Sequence, residues 1–300
     1  MKPSIHTDPN RRHDFLLLFD VTDGNPNGDP EAGNLPRADP QTGHGIVTDV
    51  CLKRKIRNYV TLTAEDRPGF DIYVQEKSVL ARQRQRAYDS LGAAATPDAA
   101  RRRMCELFYD VRLFGAVMSL KEFNAGQVRG PVQFTFARSF DPIFPMDLLL
   151  TRTAVATGKE SELQGGENRT FARKAVVPYA LYRAYGYVSA PLARQTGVTE
   201  ADLALLWEAL THFWDLDRSA ARGNMVCRGL RIFSHDSPLG NAPAQSLFDT
   251  VHVELQPDVL APRRFADYRI TPSILPNRYP GVTLTTLVDT DTSPPATDRP

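Results

Sequence analysis

Runs of apolar side chains and runs of alternating character succeed one another along the chain, and FLLLFDV, Phe15 to Val21, is the first to stand out. A short, unbroken aliphatic and aromatic run predicts a strand buried on both faces. It stops abruptly. From Asp23 to Gly45 the residues DGNPNGDPEAGNLPRADPQTGHG are so dense in Gly and Pro that neither helix nor ladder is expected, only a long loop. A loop of that length inside a domain is functional or mobile. The period then changes. Thr48 offers an N-cap, Asp49 complements the positive end of a helix dipole, and Leu52, Ile56 and Val60 recur at four-residue spacing, which predicts a helix from Thr48 to about Val60. Lys53, Arg54, Lys55 and Arg57 are expected to cover much of its remaining surface.

Further on, FDIYV at Phe70 to Val74 predicts a strand, and Ser78 to Phe108 a helical stretch broken near Gly92 and Pro97 that contains RQRQR and RRR. PVQFTFARSF, Pro131 to Phe140, alternates Val132, Phe134 and Phe136 with polar partners and predicts another strand. The polar segment TGKESELQGGENRTFARK, Thr157 to Lys174, lies between strand-like DLLLTRTAV and VVPYALYRAYGYVSA and predicts a protruding hairpin. Thr199 followed by Asp202 is a capping-box variant opening a helix through Leu203, Leu206, Leu210 and Phe213. Strand-like CRGLRIFSH and SLFDTVHVEL close the fold. The core order is strand, helix, strand, strand, helix, strand, so the expected class is α+β with the split, ferredoxin-like βαββαβ plan of RNA-recognition folds. One domain is expected over residues 1–288, with insertions at 23–45 (loop), 76–109 (helical) and 157–174 (hairpin), then a disordered tail, 289–300, rich in Thr, Pro and Asp.

Composition narrows the chemistry. A 42% hydrophobic share and 24% charged residues describe a chain that folds, and a net charge of +1 excludes a uniformly basic nucleic-acid coat while allowing a basic face set against an acidic one. Cys51, Cys105 and Cys227 are widely separated, which supports neither a disulfide framework nor a zinc knuckle. No stretch approaches the ~20 apolar residues of a membrane span, so a soluble cytoplasmic protein without membrane contact is expected. DGNPNG at Asp23 begins like a calcium loop, but Asn34 stands where a bidentate Glu should close the cage. His235, Asp236 and Ser237 are neighbours at one strand end and read as a turn, because catalytic triads assemble from distant segments. No catalytic residue, metal ligand or cofactor is expected. What remains is cationic. Lys53 and Arg57 lie one helical turn apart with Arg54 between them, and a rise of about 5.4 Å per turn is close to the roughly 6 Å between phosphates of an extended strand. Arg37 sits in the preceding loop. Arg129 stands beside Gly130, where the backbone can approach closely, with Gln133 on the strand that follows. Arg169, Phe171, Arg173 and Lys174 combine cations and an aromatic ring on the protruding hairpin, a set suited to wedging or stacking bases. For each set the competing reading is an ordinary solvated surface.

Four segments in this order, FDVTDGNPNGDPEAGNLPRADPQTGHGIVTDVCLKRKIRNYV, DVRLFGAVM, GPVQFTFARSFDP and VVPYALYRAYGYVSA, resemble the backbone-subunit family of type I CRISPR Cascade complexes, the Cas-seven family, in its type I-C branch and I-B relatives. The resemblance implies a hand-shaped, non-catalytic protein with an RNA-recognition-like palm, finger insertions and a thumb. Copies would stack head to tail on a crRNA guide, each thumb reaching over a neighbour and displacing one base at intervals. It also implies that the Thr48 to Val60 helix holds guide phosphates, that Thr157 to Lys174 is the thumb, and that the partners are crRNA, the target DNA strand, further copies, a processing or cap subunit and a large subunit. Two rivals stand beside it: a metal- or histidine-dependent CRISPR RNA-processing ribonuclease, and an oligomeric scaffold without nucleic acid.

Overall fold

The computed structural model describes residues 4–64, 66–163, 170–271 and 278–289. Strand β1 (His13–Gly24) buries Phe15 to Phe19 completely, as an apolar run covered on both faces must. The excursion after it is more ordered than its Gly and Pro content predicts, because β2 (Gly28–Asp29) pairs antiparallel with β3 (Leu35–Pro36). Gly33 and Asn34 turn the chain with φ of 62° and 63°. Asn25 Nδ2 donates to the Asn34 carbonyl at 2.7 Å, and Asn27 Oδ1 accepts from Thr48 N and Oγ1, both at 3.0 Å. β4 (His44–Val47) leads into α1 (Asp49–Thr63), where the Thr48 hydroxyl accepts from Cys51 N and Leu52, Ile56 and Val60 are fully buried. Lys55 departs from the expected polar face: it is buried and ion-paired with Asp217. Burial pulls its ammonium pKa below the ordinary value.

Phe70 to Val74 is not a strand. Asp71 makes an isolated bridge to Phe108, and the amides of Tyr73 and Val74 donate instead to the Asp110 carboxylate at 2.8 and 3.1 Å, which leaves them unavailable to a ladder. Helices α2 (Leu80–Leu91) and α3 (Pro97–Leu107) flank a 3-10 turn, and α4 (Tyr109–Phe114) follows. β5 (Gly115–Met118) and β6 (Gly126–Arg129) form a hairpin. The predicted strand from Pro131 to Phe140 is split into β7 (Val132–Phe134) and β8 (Ala137–Pro142), with Phe136 exposed. Between them Thr135 Oγ1 accepts from Tyr185 N at 3.1 Å, a side chain standing where a ladder carbonyl would. β9 (Met146–Arg152), α5 (Gly158–Leu163) and β10 (Thr170–Val188) make the protrusion. β9 pairs with Thr170 to Val176 of β10, so the ribbon extends beyond the expected 157–174 at both ends; residues 164–169, Arg169 included, lie outside the described residues.

After α6 (Ala190–Thr196), the predicted capping box of Thr199 and Asp202 opens α7 (Glu200–Leu216). β11 (Asn224–His235) follows. The expected strand SLFDTVHVEL is half helix, α8 (Ala244–Phe248), and half strand, β12 (His252–Leu255), which pairs with β13 (Tyr268–Thr271). β14 (Val282–Asp289) includes Asp289, which pairs with Gly229 and accepts from Arg231 Nη2 at 2.7 Å and is therefore strand rather than tail. Residues 290–300 lie outside the described residues.

The main sheet runs β14-β11-β1-β10-β8-β4, each neighbouring pair antiparallel. Along the chain α1 falls between β1 and β8, and α7 between β10 and β11. Both helices cover one face, where Phe15, Leu17 and Phe19 meet Leu52, Ile56, Leu206 and Trp207. The opposite face carries Leu16, Leu18 and Phe233, closed off by Leu247, Phe248 and Val251, with Tyr185 stacked 4.3 Å from Phe248. A smaller core joins α2, α3 and the β5–β6 hairpin through Ala87, Met104, Phe108 and Val128. No helix among the described residues is long and apolar enough to cross a membrane.

His13 is buried at one end of the sheet, hydrogen-bonded to Ser234 Oγ at 2.9 Å and the Asp8 carbonyl at 2.8 Å, and burial lowers its pKa from 6.5 to about 4. On acidification the unfolded chain takes up this proton first, so stability is lost as pH falls from the ordinary value toward the depressed one. The expected loss from this group between about pH 7 and pH 5 is on the order of 2 kcal/mol. Urea midpoints across that window, compared with those of His13→Asn, read it out; equal slopes for the two proteins would remove His13 from the account.

Candidate nucleic-acid interface

α1 presents its cations in three different states. Arg57 Nε donates to Asp110 Oδ2 at 2.7 Å, and Asp110 is itself buried and holding two backbone amides. That pair is structural, since the buried carboxylate is shared between the guanidinium and two backbone amides and would be left without its charged partner if Arg57 were removed. Arg57 is thus withdrawn from the role its one-turn spacing from Lys53 suggested. Lys53 Nζ is shared between Asp49 and the Gln133 side-chain oxygen, both at 3.1 Å, and lies 5.7 Å from the Phe114 ring centroid. Two expected site residues, 80 positions apart, are brought together by that contact. Arg54 is exposed and has no acidic partner among the described residues. It lines a polar pocket of ≈ 320 Å³ together with Asn25, Asn27, Asn34, Thr48 and Arg222.

Gln133 continues the row. Its Nε2 donates to the Gly130 carbonyl at 3.1 Å, and the residue lines a groove of ≈ 530 Å³ with Phe114, Gly115, Gln127, Arg129 and Gly130. Gly130 has a different use from the one expected. A Cβ there would collide with the backbone of Phe114 and Gly115, so the glycine admits the junction of α4 and β5 of the protein itself rather than a ligand. Arg129 is exposed at the end of β6 and unpaired among the described residues.

The other expected residues are dispersed. Arg37 Nη1 donates to Asp29 Oδ2 at 3.1 Å and closes the β2–β3 hairpin. On the ribbon Phe171 is exposed, Arg173 leans on Asp147 at 3.5 Å, and Lys174 is half-buried with no ion pair among the described residues. Arg222 was missed from sequence; it donates from Nη1 to the Asn25 carbonyl at 2.9 Å and pairs through Nε with Asp217 at 3.2 Å. Only the fold brings it beside Arg54, and its neighbours in sequence give no signal. His235 is buried against Asp14 at 2.9 Å, while Asp236 pairs with Arg11 at 2.6 Å, so the strand-end trio converges on no common substrate position. Among the described residues no three His, Cys, Asp or Glu side chains gather as a metal site would require.

The family model for CRISPR-associated protein Cas7 matches residues 11–273. A Haloferax volcanii protein described as CRISPR-associated protein Cas7 is 31% identical over 225 residues, covering 66% of this chain. The match spans just under two thirds of that relative's length, 64%. Among solved structures, a chain from a CRISPR RNA-guided surveillance complex in a pre-nicking state gives a TM-score of 0.49 at 14% identity, covering 74% of this chain and 78% of the other. A second CRISPR RNA-guided surveillance complex gives 0.45 at 18% identity, covering 77% and 73%.

Proposed function

This chain belongs to the CRISPR-associated Cas7 family, and from that premise we propose that it is a non-catalytic backbone subunit of a type I-C Cascade complex that binds a crRNA guide and polymerises along it. The observation that carries the reading is the contact of Lys53 with Gln133, which shares a groove with Arg129, while Arg54 follows Lys53 on α1; both arginines are exposed and without acidic partners among the described residues. Such a set suits phosphates, because guanidinium forks match phosphate oxygens and charge alone reads no sequence.

The strand order β11-β1-β10-β8, with α1 and α7 as the two crossovers, supports an RNA-recognition-like palm. RNA-recognition domains stack bases on exposed sheet aromatics. Here the corresponding face is covered by α8, which favours backbone binding and leaves sequence discrimination to pairing between guide and target DNA. The α2–α3 insertion is the finger and the β9–β10 ribbon the thumb, reaching a neighbouring copy. A processing or cap subunit and a large subunit would complete the assembly.

Arg54→Glu tests this directly. Guide-RNA affinity is expected to fall about tenfold at moderate salt, with the salt slope reduced by about one. Fluorescence anisotropy against salt concentration measures both, and unchanged binding would take α1 out of the interface. Arg57→Ala is the contrasting control, lowering the melting temperature by stranding Asp110.

A further inference from the structure

One side of β11 is only half covered by its neighbours. β1 lies along the inner side from Asn224 to Ser234, whereas β14 pairs on the outer side only from Gly229 to His235. The outer side of Asn224 to Arg228 therefore has no strand partner among the described residues. An open edge of this kind is a template for a further strand. Beside it lies a cavity of ≈ 550 Å³ whose lining includes Trp207, Trp214, Val226, Cys227, Leu287 and Val288. The two indoles differ. Trp207 Nε1 donates to the His6 carbonyl at 2.9 Å, but Trp214, only 2% exposed, has no acceptor for its Nε1 among the described residues. An indole N–H shut away from water without a partner favours whatever brings an acceptor.

We propose that this edge and cavity are the docking site of the chain's own following segment, Thr290 to Ser293, which adds antiparallel to Asn224–Arg228 and turns threonine hydroxyls toward Trp214. Asp289 stands opposite Gly229, so the next residue reaches the first open position of β11 without a turn. Four residues, Thr290 to Ser293, then precede Pro294 and Pro295, and because proline ends a ladder the segment matches the length of the open edge. The β-branched threonines favour a strand. Val288 packs against the core on the α7 face, and the two-residue period of a strand brings Thr290 and Thr292 to that same face, where a hydroxyl oxygen can accept from the indole. A strand from another molecule would have to find this edge at its free concentration, whereas a segment joined at Asp289 is held beside it by the chain. Guide RNA plays no part in this docking.

The test compares the 300-residue chain with a double variant, Asp291→Pro and Thr292→Pro, whose consecutive prolines forbid the ladder whichever of the two amides faces β11. Trp207 and Trp214 are the chain's two tryptophans and both line the cavity, so intrinsic fluorescence reads this site alone. Acrylamide quenching is expected to rise about twofold in the double variant, and the outward-facing amides between Asn224 and Arg228 are expected to exchange with deuterium about tenfold faster or more. A chain ending at Asp289 is expected to match the double variant in both measurements. Equal quenching and equal exchange in the parent chain and the double variant overturn the proposal, whether the edge is open in both or covered in both by something else. Protection of the parent chain's edge that grows with protein concentration also overturns it, because a second copy would then be the occupant. Both substitutions lie outside the residues that build the core, and a cooperative melting curve confirms that the double variant is folded.

Discussion

Replacing Asp202 with alanine is expected to lower stability by about 3–5 kcal/mol, the range for removing one member of a buried ion pair. The carboxylate is fully buried and takes four donors, two from Arg112 and the amide and hydroxyl of Thr199 at 2.8 and 2.9 Å. One side chain thus caps α7 and neutralises the guanidinium under α4. Loss of the cap alone accounts for about 1 kcal/mol; the remainder is the desolvated charge left on Arg112, which is 6% exposed. Urea denaturation measures the total. A double variant, Asp202→Leu with Arg112→Met, is expected to recover much of the loss, because a well-packed apolar pair carries no desolvation penalty. A decrease near 1 kcal/mol for Asp202→Ala would reduce the residue to a helix cap.

Changing Leu148, Leu149 and Leu150 together to serine is expected to abolish ordered assembly on guide RNA while leaving the monomer folded. Every residue of β9 is exposed, and on the facing strand Phe171 is exposed too, so the β9–β10 ribbon shows apolar side chains to solvent on both faces. A two-stranded ribbon is marginal alone in water, and a contiguous apolar patch of this kind marks a surface that another molecule covers. If each leucine contributes about 1–2 kcal/mol when covered by a neighbouring copy, removing three weakens association by more than about 10²-fold. Sizing of the protein on a long guide, with circular dichroism of the monomer alongside, reads both halves. Persisting full-length assemblies would mean that this ribbon does not join the copies.

Several parts of the molecule follow from short stretches of sequence. The burial of Phe15 to Phe19, the stripe of Leu52, Ile56 and Val60, the Thr48 cap and the Thr199–Asp202 capping box involve residues no more than a few positions apart, where period and side-chain chemistry act without help. The missed elements failed for the opposite reason. Phe70 to Val74 has strand composition, yet a carboxylate 36 or 37 positions away holds the amides a strand would need. Gly and Pro between Asp23 and Gly45 predict a loop, yet Asn side chains knit the segment into a hairpin and tie it to Thr48.

The candidate site divides in the same way. Sequence determined that α1 is a helix with a cationic surface, that a polar segment, Thr157 to Lys174, separates two strand-like runs, and which family the four segments resemble. It did not determine which cations are free. Arg57 is held by Asp110, 53 positions on, and Lys55 by Asp217, 162 positions on, whereas Arg54, just before Lys55, remains exposed. A helical repeat orders side chains around one axis but says nothing about what packs against each face. The sheet pairing and the seating of α4 and α7 bring those carboxylates to α1, so tertiary structure holds Arg57 and Arg37 in ion pairs and leaves Arg54 and Arg129 exposed without acidic partners among the described residues.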